Sequence, residues 1–446
     1  VRQLESALAS TEYTGDAATP YTLSVSPTLS RFRPELEFAC DFLDCCHEVR
    51  RVSNAHRILH FGPDAPPGSV AVPAALFPDG VSVDADGIHP VHKFLEGIRE
   101  GSGGCRILPM NLDATSAAAT ERLDYDALGL VFLLLSRLEA RGHDGTGDRY
   151  GRFPLKSSIA HRHGLLSVPL ADIAARDLAA ALTGSDRPIS RTRYEVWLTH
   201  DVDRLRGYHT PLQTIKEATA DIVFRRRPAA AAGRIGKAFF RGRPWPELRM
   251  LMDLSEVNGL TSRFYFMGPT NDRSDSPYTL REPMTVRRLA DEIIARGHVV
   301  GFHPGVNTHG NPDEWCRQHK ALESVIGREI REGRQHRLLF DPANTWDIWD
   351  ANGMDADATL GFPELSGYPS GTCRAHPTYS LRHRRRLRVM EHPTNVLDFG
   401  FFGGRYRDVT VEAAVKEVQR IAEQTKSFGG NLVILFHTGQ SRLTQF

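Results

Sequence analysis

From residue 194 onward the chain alternates two kinds of segment. Short β-branched and aromatic runs recur, each separated from the next by stretches whose apolar positions repeat at helical spacing. "YEVWLTHD", "TSRFYFMG", "HVVGFHP", "RQHRLLFD" and "NLVILFHTG" read as strands. Between them "WPELRMLMDLSEVNG", "MTVRRLADEIIARG", "PDEWCRQHKALESVIG", "PANTWDIWDANG" and "VEAAVKEVQRIAEQT" read as helices; in the second, Val286, Leu289, Ile293 and Ile294 share one side. Such alternation predicts parallel β-structure with helices outside, as an open sheet or a barrel.

The first part of the chain follows a different pattern. Its first 30 residues, rich in Ser, Thr and Ala, are expected to pack loosely at an edge. "VRRVSNAHRILHFGP" and "VAVPAALFP" read as strands with turns, and "HKFLEGIRE" as a short helix. Residues 124–142, "DYDALGLVFLLLSRLEARG", begin with an Asp cap and form a strong helix, and "LADIAARDLAAALTGSDRP" is another that Gly and Pro end. Between those two, "GHDGTGDRYGR" is a loop of turn formers. A boundary near residue 190 therefore divides a smaller α/β domain (1–190) from a larger α/β domain (191–446).

Length and composition narrow the class. A chain of 446 residues is too long for one ordinary domain. With 41% apolar and 24% charged residues it is globular, and a net charge of +1 gives no electrostatic reason to expect nucleic acid or membrane partners. Six cysteines without a CxxC pair are expected to be reduced thiols. No signal-peptide pattern or run long enough for a membrane helix is visible, so cytoplasm is the expected location.

The chemistry is concentrated at strand ends. Asp201 and Asp203 follow one strand, His303 follows another, His336 sits in a third and His437 ends a fourth. Burying acids after an apolar strand is costly unless a partner neutralises them, and a cation is a common one. In a (β/α) barrel all strand C-termini open on one face, so these residues would meet there. Two acids and three imidazoles suit Zn2+ or a similar divalent ion with open positions.

The ordered segments "LTHDVD", "GHVVGFHPGVNT", "GRQHRLLFDPANTWDIWDANGMDADATLGF" and "LVILFHTG" resemble the motifs of the polysaccharide deacetylase family, carbohydrate esterase family 4 with its NodB-homology domain. They look closest to a bacterial surface-polysaccharide branch that carries an uncharacterised amino-terminal domain. The resemblance spans roughly residues 120–440. It implies a distorted (β/α) barrel and a metal-dependent N- or O-deacetylase acting on a sugar, glycan or nucleotide-sugar-like substrate. It also implies Asp201 as general base, Arg334 as its partner, His303 as a metal ligand and His437 as general acid. Two positions depart from the motifs. Val202 stands where the metal aspartate is expected, leaving Asp203 as the next carboxylate, and Asn307 stands where a second metal histidine is expected, with His309 or His336 as replacements.

Two other functions fit the same residues. One is a catalytically silent barrel serving as a glycan-binding or scaffold protein; the other is hydrolysis of a different C–N bond, such as a formamide. Weaker signals read as structural. His161 and His163 lie in a loop, the basic runs at 224–228 and 382–388 read as solvated faces that could attract a phosphate or an anionic glycan, and Cys373 with His376 lacks a third catalytic member.

Overall fold

The computed structural model describes residues 18–77, 79–91, 106–109, 121–205, 246–270, 272–402 and 406–438, with scattered positions between 218 and 232. The expected helix "HKFLEGIRE" and residues 224–227 of the basic run lie outside the described residues.

The first sheet is parallel, in the order β2-β1-β3-β4, with β1 at Thr19–Val25, β2 at Val49–Arg51, β3 at Arg57–Phe61 and β4 at Val70–Val72. The expectation of loose packing over the first 30 residues fails for β1, which pairs on both sides. Alternation explains this: Tyr21 and Leu23 point into the core between exposed or half-buried neighbours. Three helices cover this sheet: α1 (Arg33–Cys46), α2 (Ala127–Leu135) and α3 (Leu170–Thr183). α2 is shorter than its apolar run. Asp126 caps it by accepting from Gly129 N at 2.7 Å, and left-handed Arg137 (φ 57°) follows its end. Every residue of α2 is buried, as expected of a helix that is apolar all round. A small hairpin, β5 (Val81–Asp84) with β6 (Gly87–Pro90), lies beyond the first sheet in sequence.

The second sheet has nine strands: β7 (Glu195–Val202), β8 (Ser262–Met267), β9 (Val299–His303), β10 (Glu332–Gly333), β11 (Ala356–Asp357), β12 (His376–Ser380), β13 (Arg385–Glu391), β14 (Thr394–Leu397) and β15 (Asn431–Leu435). Their order is β12-β13-β11-β10-β9-β8-β7-β15-β14, and all pairings are parallel except β12 with β13. Helices α4 (Pro246–Val257), α5 (Pro283–Ala295), α6 (Pro312–Ile326), α7 (Thr345–Ala351) and α8 (Val411–Ser427) occupy the crossovers. The sheet is a curled half-barrel. Trp197 of β7, Ala356 of β11 and Val433 of β15 form one cluster, although three strands separate β7 from β11 in the ladder. Among the described residues no strand pairing joins the edges β12 and β14. The fold is therefore α/β with a curled sheet.

Side-chain parity along β7 sorts chemistry from core. Val202 is fully buried in the cluster formed with α4, α5 and β8, while Trp197 faces the concave side. Residues 201 and 203 share the parity of 197, so both aspartates face away from Val202. In β9, Gly301 stands two residues before His303. A Cβ there would lie 2.4 Å from the Tyr265 ring and 2.7 Å from the Glu332 carbonyl, so only glycine lets β8, β9 and β10 approach this closely.

The parts on either side of residue 190 are in close contact. Tyr379 and Leu381 enter the core of the first sheet, and Tyr379 donates to Glu35 at 2.9 Å. Asp172 of α3 accepts from Arg374 Nε at 2.7 Å and from the Cys373 amide at 2.9 Å. The basic run at 382–388 is engaged as well: Arg384 pairs with Glu35 and Arg386 with Asp41. Among the described residues no helix is long and apolar enough to cross a membrane.

Candidate metal centre and catalytic cleft

A cleft of about 660 Å³ opens at the C-terminal ends of the strands, and Asp201, Asp203, His336 and His437 line it. Asp201 ends β7 almost completely buried, beside the guanidinium of Arg334 (Nη1 to Oδ1, 2.9 Å). Arg334 follows β10 and is fully buried. It also donates to Thr199 Oγ1 (2.9 Å), Thr394 Oγ1 (3.0 Å) and the Ala358 carbonyl (2.8 Å), so it ties β7, β14 and the end of β11 together. That fork fixes one oxygen of Asp201 and leaves Oδ2 facing His303 Nε2 at 3.8 Å and His437 Nε2 at 3.9 Å. Burial pushes the Asp201 carboxyl up, but His303, Arg334 and His437 outweigh it and hold the group below the usual carboxylate range.

Three donors gather beside it. One ligand atom each from Asp203, His303 and His336 lies within 4.8 Å of the others. His303 Nε2 is 3.5 Å from Asp203 Oδ1, and His336 Nε2 is 3.8 Å from the same oxygen. Donors around a tetrahedral Zn2+ stand about 3.3 Å apart, given bonds of about 2.0 Å, so a small inward movement would complete such a shell. The far side of each ring is already engaged. His303 Nδ1 lies 2.6 Å from the Arg334 carbonyl and His336 Nδ1 lies 2.6 Å from Asp275 Oδ1. With Nδ1 donating, Nε2 carries the lone pair and points at Asp203. His303 Nε2 is buried and makes no hydrogen bond of sound geometry, which is costly for a polar atom unless something ligates it. The residues present therefore fit a divalent cation. Burial disfavours the charged form of His303, yet Asp201 and Asp203 raise its pKa, and Asp203 is held low by its histidine neighbours against its own burial.

His437 lies opposite. Asp398 accepts from His437 Nδ1 at 2.8 Å and from its backbone amide at 2.8 Å, and Phe399 packs on the ring with centroids 4.3 Å apart. Burial would lower this imidazole, but the Asp398 carboxylate overrides it and pushes the pKa up to about 9. His437 is thus a protonated donor at neutral pH, with Nε2 aimed at the cleft.

The structure brings Asp201, Asp203, His303, His336, Arg334 and His437 together. Asn307 lies elsewhere: it is exposed, and its carboxamide oxygen accepts from Gln318 at 3.4 Å. His309 turns to the Val306 carbonyl. His336 is not in a strand; it opens a 3₁₀ turn, His336–Leu338, in which Arg337 (φ 60°) and Leu338 (φ 56°) are both left-handed. Each such residue costs about 1–3 kcal/mol, the kind of strain found at functional sites. Asp275 and Asp398 also take part, and neither is singled out by the sequence motifs. Asp398 repeats the signal that marks Asp201, a carboxylate just after an apolar strand, whereas Asp275 sits in a polar loop with no such signal. Burial pushes the Cys373 thiol well up, which makes it a poor nucleophile.

Residues 79–186 match a family described as "Family of unknown function (DUF7033)". No curated protein sequence matches the chain. Among solved structures, the chain is similar to a crystal structure of a mutant CE4 family pseudoenzyme with restored enzymatic activity. That match has 13% identity and a TM-score of 0.25, and it covers 55% of this chain and 66% of the other, just under two thirds of that protein's length.

Proposed function

We propose that this protein is a metal-dependent deacetylase that hydrolyses an N-acetyl or O-acetyl group on a sugar or glycan, with the curled sheet serving as a distorted barrel. One observation carries the reading: the Asp203–His303–His336 donor set stands beside an oriented carboxylate, Asp201, whose free oxygen faces both that set and a protonated imidazole, His437. A cation held by Asp203, His303 and His336, with Zn2+ the best match to the donors, would supply a Lewis acid for an acyl oxygen and acidify water. Asp201, ionised and clamped by Arg334, takes a proton at Oδ2. His437 returns a proton from Nε2 to the leaving amine or alkoxide, and Asp398 keeps that proton in place between turnovers. Phe399 and Leu435 line the cleft beside these groups and keep water from their apolar side.

The test is acetate release from N-acetylated sugars by the zinc-loaded chain. Release that Asp201→Asn abolishes, while zinc binding persists, supports the reading. Undiminished release from that variant removes Asp201 as the base, and no release from any acetylated sugar removes the reading itself.

A further inference from the structure

The cleft contains more positive charge than the proposed reaction uses. Arg273, Arg281 and Arg337 line it, and none has a carboxylate within ion-pair distance among the described residues, although the Arg337 charge is felt at Asp272. Exposed arginines on the outer helices behave differently. Arg249 pairs with Glu292 at 2.6 Å, Arg296 with Asp253 and Glu256, and Arg317 with Glu314 at 2.7 Å. Four acids line the cleft with them: Asp201 is taken by Arg334, Asp275 by His336, and Asp203 faces His303 and His336, while Glu282 stands outside ion-pair distance of Arg273, Arg281 and Arg337.

Arg337 is also fixed in place. Its guanidinium lies over the Tyr150 ring, 4.5 Å from the centroid, and donates to the Ser274 carbonyl at 3.1 Å. Its own carbonyl accepts from Arg152 Nη1 at 3.3 Å, and Arg152 is in turn clamped by Asp148 at 2.7 Å and Tyr406 at 3.1 Å. Tyr150 and Arg152 come from the loop that precedes the second sheet. An arginine stacked on an aromatic face keeps its remaining N–H donors pre-organised for a planar or tetrahedral oxyanion.

We infer that the cleft takes an anionic glycan: a sugar chain whose carboxylate or phosphate is held by Arg337, with Arg273 and Arg281 adding attraction at the rim. This rests on the deacetylase reading for which bond is cut, but not for what is bound. The 145–152 loop then has a specific task, which is to build the anion-reading wall of the cleft.

The experiment measures calorimetric affinity in the full-length Asp201→Asn chain, so that turnover does not interfere. The probes are a neutral N-acetylglucosamine tetramer, a tetramer alternating N-acetylglucosamine with glucuronate, and a nucleotide-diphospho-N-acetylglucosamine. At least one anionic probe should bind about tenfold or more tighter than the neutral one at low salt and lose that advantage as salt rises. Which anionic probe wins distinguishes carboxylate from phosphate. Arg337→Gln should reduce the anionic-to-neutral ratio by about tenfold, and the exposed pair Arg273→Gln/Arg281→Gln by a smaller factor. The ratio is the readout because general loss of structure lowers both affinities alike. Equal affinity for neutral and anionic probes, or a ratio that Arg337→Gln leaves intact, overturns the inference. Acetate release by the unmodified chain without anionic preference leaves the deacetylase reading standing and removes this one; anionic preference without acetate release does the reverse.

Discussion

Asp201 and Asp203 lie at the end of β7, while Asp357 and Glu391 end β11 and β13 in the same sheet and stand opposite each other in register. Asp201, Asp357 and Glu391 are almost equally buried, at 2%, 0% and 0% exposure. Their charge states nevertheless diverge. Around Asp201 and Asp203 stand Arg334, His303, His336 and His437, and these acids are held ionised. The groups that hydrogen-bond Asp357 and Glu391 are neutral donors, Thr359, the Leu360 amide and the Trp346 indole, and the Arg334 charge lowers Asp357 only as the smallest of its causes. There burial raises both carboxyls, and the Asp357 charge raises Glu391 further while a hydrogen bond with Glu391 tempers the rise at Asp357, so the pair keeps a proton. Burial alone therefore does not make a reactive acid. The difference lies in which neighbours can carry positive charge, and whether the pair opens on the cleft or is sealed beneath it.

Several substitutions would sharpen or break this contrast. The largest effect is expected from Asp201→Asn, which should lower acetate release by about a thousandfold or more and also cost about 3 kcal/mol of stability, because Arg334 is left buried without its carboxylate. Denaturant titration beside the acetate assay measures both. Next comes Asp275→Asn. It removes the carboxylate behind His336 and should weaken zinc affinity by about 10- to 100-fold, read by competition with a chelating dye. An unchanged affinity would remove His336 from the ligand set.

Asp398→Asn should act on the pH profile. With Asp398 present, His437 stays protonated up to about 9. Activity should therefore fall as pH rises through that value, and the variant's alkaline limb should move down towards about 6.5. A limb that stays in place would mean another group supplies the proton. The smallest effect belongs to Glu391→Gln. A carboxyl whose folded pKa is raised contributes stability that is complete below its unfolded pKa of about 4.3 and is lost as pH rises through the folded value. The unmodified chain should lose stability over that rise, and Glu391→Gln should flatten the loss while changing neutral stability by about 1 kcal/mol. Melting temperatures across pH values test it.

Much of the second sheet was legible because its strands end in polar residues after continuous apolar runs, and its helices carry one-sided patterns. The same logic located Asp201, His303 and His437. The spacing of Asp203, which departs from the motif, is explained by strand parity: Val202 belongs to the helix-facing core and the acids two apart share the concave side. His336 was misplaced because Leu338 and Leu339 extend an apolar run that reads as strand, whereas two left-handed residues break it into a turn. The antiparallel pair β12 and β13 escaped notice because Arg384, Arg385, Arg386 and Arg388 disguise a strand whose outer side pairs with acids from elsewhere. Asp275 and Tyr150 owe their roles to neighbours distant in sequence, and no local pattern reveals those.

The most direct test of the metal centre is anomalous diffraction at the zinc edge from crystals of the full chain equilibrated with zinc chloride. A single peak about 2.0–2.2 Å from a carboxylate oxygen of Asp203 and from Nε2 of both His303 and His336 is the predicted result. A peak held by other residues, or none at these three donors in a cleft that is open, would contradict the account.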